Sequence, residues 1–127
     1  MEGQSLSVPS ATQNPHPYSG EPSWSRSEKA IARKVFDVAL KRELQQVMSE
    51  AKQMAGQIKA PSNVWELERY LTQRRKEIDR MYDFRLSRLT WVFRTLLSER
   101  RIRDEELRGL GEDKIKAIRS SAKVFIG

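Results

Sequence analysis

Cysteine is absent from all 127 residues. Disulfides, thiolate nucleophiles and cysteine-ligated zinc are therefore excluded. The one histidine, His16, stands between Pro15 and Pro17, where a lone imidazole makes no metal site. No apolar run approaches the ~18 residues of a transmembrane candidate. The N-terminus lacks the basic segment and apolar stretch of a secretory signal, so a cytoplasmic location is expected. There is no glycine-rich phosphate loop and no internal repeat. Carboxylate pairs exist, Asp79 with Asp83 and Glu105 with Glu106, but at helical and adjacent spacing they read as solvated charge. A general acid–base pair needs a pocket that shifts its pKa values, and nothing in the sequence suggests one. The chain is thus expected to be no enzyme and to carry neither metal nor cofactor.

Proline is scarce where it would matter. Four of the five prolines, Pro9, Pro15, Pro17 and Pro22, lie near the start of the chain, and between Ser62 and Arg108 there is neither proline nor glycine. Residues 1–23 are rich in Ser, Pro, Gly and Gln and poor in aliphatics, so they read as a disordered tail that cannot offset its ordering entropy by burial. Residues 24–127 read as one all-helical domain. Ser25 followed by Glu28 has capping-box spacing. Ile31, Val35, Val38, Leu44, Val47, Ala51, Met54 and Ile58 then recur mostly at steps of three and four. That stripe predicts a helix from about Ser27 to about Gln57, closed by Pro61. Asn63 followed by Glu66 marks a second start. The stripe Val64, Leu67, Leu71, Ile78, Met81, Leu89, Val92 and Leu96 allows a helix of about 36 residues, roughly 54 Å long, with a kink near Tyr82-Asp83 left open. Asp104 starts a short helix bounded by Gly109 and Gly111, and a last one runs from about Glu112 to Val124. The expected architecture is two long antiparallel helices plus two short C-terminal ones. A helix of ~54 Å outruns a domain of about 100 residues, whose radius of gyration is ~13 Å. Its apolar stripe calls for a second copy, so a helical dimer is expected.

Charge is plentiful and mixed. The formal net charge is +7, and every Lys and Arg lies beyond residue 23. A pI near 10.0 raises the question of nucleic acid, as does Arg100-Arg101-Ile102-Arg103. Acids are interleaved with the bases, which suits a solvated helical surface better than a phosphate-binding stripe. Specific nucleic-acid binding is not expected. The segment that stands out is 64–79. There the apolar face is interrupted by Arg74 and Arg75, with Trp65 and Tyr70 beside the break. Protein interfaces favour this mixture of Trp, Tyr and Arg. A helix with a tryptophan anchoring its first turn and arginines in surface ion pairs would give the same pattern, and both readings stay open.

A series of pieces at fixed spacing goes further. Trp24-Ser25, Arg42-Glu43-Leu44, Trp65-x-Leu67, Arg75-x-Glu77-Ile78-Asp79, Tyr82-Asp83-x-Arg85, Val92-Phe93, Glu105-Glu106-Leu107 and Asp113-Lys114 together resemble the fluorescence recovery protein family of cyanobacterial photoprotection. The resemblance implies an all-helical homodimer without cofactor. It implies a partner, the orange carotenoid protein in its photoactivated form, whose return to rest the family speeds, ending phycobilisome quenching. It also implies that any link to the thylakoid's cytoplasmic face runs through that partner. By resemblance Trp65 and Arg75 serve dimerisation and partner binding, and Trp91 holds the aromatic position of the head region. The family's basic position in the last helix falls on Ala117, with Lys114 and Lys116 near it, and Lys114 is taken with Trp91 as the head-region partner contact that the resemblance implies. One turn after Trp65, where the family has an acid, this chain has Arg69. Against an unchanged partner surface, such a reversal costs several kcal/mol at a desolvated contact. An adaptor on the same scaffold for another protein is therefore the alternative function.

Overall fold

The computed structural model describes residues 23–126, with side chains as far as Arg119. Apart from Ser23, the expected disordered tail lies outside the described residues. The fold is all-α, as the periodicity predicts. Helix α1 spans Arg26–Gly56. Its start is the predicted capping box: the Ser25 hydroxyl accepts from the Glu28 N–H at 3.1 Å, and the Glu28 carboxylate accepts from the Ser25 N–H at 2.9 Å. It ends at Gly56, within a residue of the expected end near Gln57 and five residues short of Pro61. That proline instead opens helix α2, Pro61–Met81. At a first helical position its missing N–H is one the helix leaves unpaired anyway. Asn63 is therefore not the N-cap but sits a turn inside. Its side-chain oxygen reaches back to the N–H groups of Lys59 and Ala60, at 3.0 and 3.1 Å.

The long second helix is two helices. Helix α3 begins at Leu86 and runs to Ser98, after a break at residues 82–85 that no Gly or Pro announces. Tertiary packing makes the break. The rings of Tyr82 and Phe84 turn edge-on to Phe36 of α1, with centroids 5.4 and 5.1 Å away. The Arg33 guanidinium lies 4.6 Å from the Phe84 ring centroid. Asp83, bound to Arg85 and Arg88, sets a negative charge near the start of α3, where the helix dipole favours one.

Helix α3 ends in a Schellman turn, with Arg101 N–H to the Leu96 carbonyl at 2.8 Å and Arg100 N–H to that of Leu97 at 3.1 Å. A 3-10 turn follows at Asp104–Leu107, then α4, Glu112–Ile126. Between them Gly109 has φ +104°, and a Cβ there would stand 2.5 Å from Ile31 Cδ1.

These elements form a head and an arm. The head core joins Ala32, Val35, Phe36 and Ala39 of α1 to Leu89, Val92, Phe93 and Leu96 of α3, with Ile102, Leu107, Leu110 and Ile118 closing it. The arm is the C-terminal part of α1 with α2 laid antiparallel along it: Glu50 meets Tyr70, Glu43 meets Arg74 and Ala39 meets Tyr82. No residue of α2 is buried.

Arg100 occupies the left-handed position of the Schellman turn, at φ 61°. A side chain there is strained where glycine is not. Arg100→Gly is expected to raise stability by about 0.5–1 kcal/mol, a rise of several degrees in melting temperature for a domain this size. A lowered melting temperature would show that the exposed Arg100 side chain holds the turn by contacts of its own.

Candidate partner-binding site

Helix α2 offers three faces, since residues three and four apart share one. The first turns to α1 through Tyr70, Arg74 and Glu77. The second carries Val64, Leu67, Leu71 and Ile78 at steps of three, four and seven. Val64 and Leu71 on it are about two-fifths exposed. The third carries Trp65, the most exposed large apolar side chain of the described residues at 59%, followed by Arg69.

The two arginines of the interrupted stripe part company. Arg74 is drawn inward. Its guanidinium donates to Glu43 at 2.7 Å and to Glu77 at 2.6 Å. Burial works against its charge, but the two carboxylates outweigh this and hold it above the ordinary arginine range. Arg75 stays on the surface with a 3.9 Å pair to Asp79. Tyr70 donates to Glu50 of α1. Burial, then that carboxylate, push its hydroxyl up, while the same bond lowers Glu50. Tyr70 and Arg74 thus fasten α2 to α1, whereas Trp65, Arg69 and Arg75 remain exposed.

Glu43 was not singled out by the sequence, yet it is the centre of this region. Besides Arg74 it accepts from the Tyr82 hydroxyl at 2.7 Å and pairs with Arg101 at 3.3 Å. Burial, then Glu43, push the Tyr82 hydroxyl far above its usual range. The available signal was its register. Ala32, Phe36, Ala39 and Glu43 follow at steps of four, three and four, so an acid continues an apolar stripe and requires buried partners. Beside this cluster, where arm meets head, is a cleft of about 520 Å³, bordered among others by Arg80, Glu99 and Trp91. Trp91 is 38% exposed, with the Arg88 guanidinium 4.6 Å from its ring centroid.

Lys114 lies away from all of these. It is 4% exposed, donates to Glu28 at 2.9 Å and to the Ser23 carbonyl, and stands 5.6 Å from the Trp24 ring centroid. The Glu28 carboxylate also accepts from Gly111 N–H at 2.6 Å. Residues 23–28 are therefore pinned to the start of α4. Among the described residues no cluster of His, Cys, Asp and Glu could hold a metal ion.

A profile described as photoprotection regulator fluorescence recovery protein matches residues 24–122. The chain belongs to the fluorescence recovery protein family. The fluorescence recovery protein of Synechocystis sp. is 36% identical over 104 residues, covering 82% of this chain and 95% of its own. The solved fluorescence recovery proteins of Fremyella diplosiphon and Synechocystis sp. are 35% and 36% identical. Each has a TM-score of 0.76 and matches 80% of this chain and 99% of its own. A family of photoprotection regulators thus has this head and arm in common, and the four-residue break before α3 lies inside the matched span.

Glu28 gives the head an acid-sensitive joint. The Ser25 N–H foremost, then Lys114 and the Gly111 N–H against the opposing effect of burial, hold its carboxyl at about 2 instead of 4.5. Lowered in the folded state, this group contributes stability that is full above about pH 4.5 and disappears as pH falls toward 2. At ~1.4 kcal/mol per unit the effect is on the order of 3 kcal/mol. Glu28→Gln should lower stability at pH 7 by a similar amount and flatten the loss on acidification. Parallel acid unfolding curves for the two proteins would contradict this.

Proposed function

We propose that the chain is a non-enzymatic regulator that binds the photoactivated orange carotenoid protein as a homodimer and speeds its return to the resting form, ending phycobilisome quenching. The observation that carries the reading is the uncovered second face of α2. A helix of 21 residues with nothing fully buried is marginal in water on its own, and a row with Val64 and Leu71 exposed and Leu67 and Ile78 half-buried gains from being covered. A second copy covers it by the same surface on both sides of a two-fold axis. Arg75 borders this face, and Trp65 heads the face beyond it.

Regulation without covalent chemistry requires differential binding. The protein must hold a compact or half-closed form of its partner better than the separated form, since equal affinity shifts nothing. Trp91, exposed at the cleft between head and arm, suits a contact in the head region. Buried Lys114 supports the head from within. Binding runs through protein contacts at the cytoplasmic face of the thylakoid. No described helix is long and apolar enough to cross a membrane. Nucleic acid is disfavoured because so many guanidinium groups are committed to carboxylates, Arg42 to Glu106, Arg74 to Glu43 and Arg119 to Asp104 among them. The second reading, an adaptor for a different protein, is favoured by Arg69, which is exposed where the family pattern has an acid.

Light scattering at micromolar concentration should give about twice 14.8 kDa, and Leu71→Glu should give the monomer. The chain should accelerate dark recovery of the photoactivated carotenoid protein, and Leu71→Glu should impair this. An intact dimer that leaves the recovery rate unchanged would reject the first reading in favour of the second.

A further inference from the structure

From Trp65 the third face of α2 continues through Arg69, Thr72, Lys76 and Arg80, at steps of four, three, four and four. At ~100° per residue this row lies about 150° around the helix from the apolar row of Val64, Leu67, Leu71 and Ile78. Arg69, Lys76 and Arg80 are all exposed, and none makes an ion pair among the described residues, although Arg74 and Arg75 on the same helix both do. Arg80 also borders the cleft that holds Trp91. The row therefore extends about 22 Å, at ~1.5 Å per residue, from one exposed tryptophan toward another. In the sequence Arg69 reads as an isolated reversal of charge, but on the helix it shares one face with Lys76 and Arg80, with Thr72 between.

We propose that this face is a docking stripe for an acidic protein surface, aligned by Trp65 at one end and the Trp91 cleft at the other. The proposal rests on the reading above, in which the apolar row is taken by the second copy and the rest of α2 is left for a partner. It deepens that reading by assigning the partner's surface chemistry: carboxylates stand where Arg69, Lys76 and Arg80 arrive. Three unpaired cations in a row repel one another and gain from an anionic surface laid along them. A protein suits this stripe better than a polyphosphate. Glu66, Glu68 and Asp79 are exposed beside it, and a protein can set carboxylates opposite the three cations and neutral or basic groups opposite these acids, whereas a nucleic-acid backbone carries an anion at every step. The exposed indole and guanidinium groups are those that protein interfaces select.

The test is a set of charge reversals on the full chain. Arg69→Glu/Lys76→Glu/Arg80→Glu is compared with a control, Lys29→Glu/Lys34→Glu, which reverses two exposed cations on α1. The probes are the photoactivated carotenoid protein, a glutamate-rich helical peptide, a 20-base-pair DNA duplex and vesicles of anionic phospholipid. The stripe variant should remain a dimer and lose about tenfold or more in affinity for the peptide and for any protein partner, while the control keeps wild-type affinity. Wild-type binding should weaken as salt rises. A stripe variant that binds the peptide as wild type does, or a control that loses as much, overturns the proposal. So does stripe-dependent binding that prefers the duplex or the vesicles at physiological salt. A wild type that ignores the carotenoid protein yet binds the peptide through the stripe rejects the functional reading and leaves this proposal standing.

Discussion

Between arm and head stands one buried carboxylate, Glu43, and the arrangement of the two halves depends on it. It receives Arg74 from α2, Tyr82 from the break between α2 and α3, and Arg101 from the turn after α3. A charge this far from water is tolerated only while its partners stay in place, and removing one partner from such a cluster typically costs 3–5 kcal/mol. Each partner comes from a different segment, so the cluster fixes where α2 ends, where α3 begins and how the turn after α3 returns to α1. Apolar side chains of similar volume could stabilise the junction equally, but they would not fix direction. A carboxylate with two hydrogen-bond donors, Arg74 and Tyr82, and a third cation in Arg101 accepts one arrangement.

Around that junction the two halves differ in kind. The head has its own core, in which Phe93, Leu89, Leu96 and Leu107 are fully enclosed, and a second buried ion pair, Glu28 with Lys114, closes its far end. The arm has no such interior. Tyr70 and Arg74 fasten α2 to α1 by polar contacts, and the apolar residues of α2 look elsewhere. On the proposed function, the head is the rigid half and the arm the half that a covering copy stabilises.

Much of this was legible in the residues, for identifiable reasons. The capping box at Ser25 and Glu28 is local chemistry, and the helix begins within a residue of where the box places it. The all-helical fold follows from apolar spacing that is mostly three and four. The breaks were harder. Pro61 signals a boundary, but proline serves either side of one, and here it starts a helix instead of ending one. The interruption at residues 82–85 has no local cause; Phe36, some forty-six residues earlier, draws Tyr82 and Phe84 out of helical register. Within the site, Tyr70 and Arg74 lie together as their spacing suggests, and Arg75 lies apart. Lys114, which the resemblance offers as a partner contact in the head region, is instead enclosed by Glu28 and Trp24. Glu43 entered the sequence reading only within Arg42-Glu43-Leu44, and its register with Ala39 and Phe36 is what sets it apart.

The dependence of the arm on a covering partner is the central claim, and amide hydrogen exchange tests it most directly. Exchange in residues 61–81 and in residues 86–118 should be followed from micromolar concentrations down to those at which a dimer dissociates. The head should keep its protection throughout, because its core is internal. The arm should lose protection as the protein is diluted, because its apolar face is then uncovered. Protection of the arm equal to that of the head at every concentration would contradict the account, since α2 would then be stable on the contacts of a single chain.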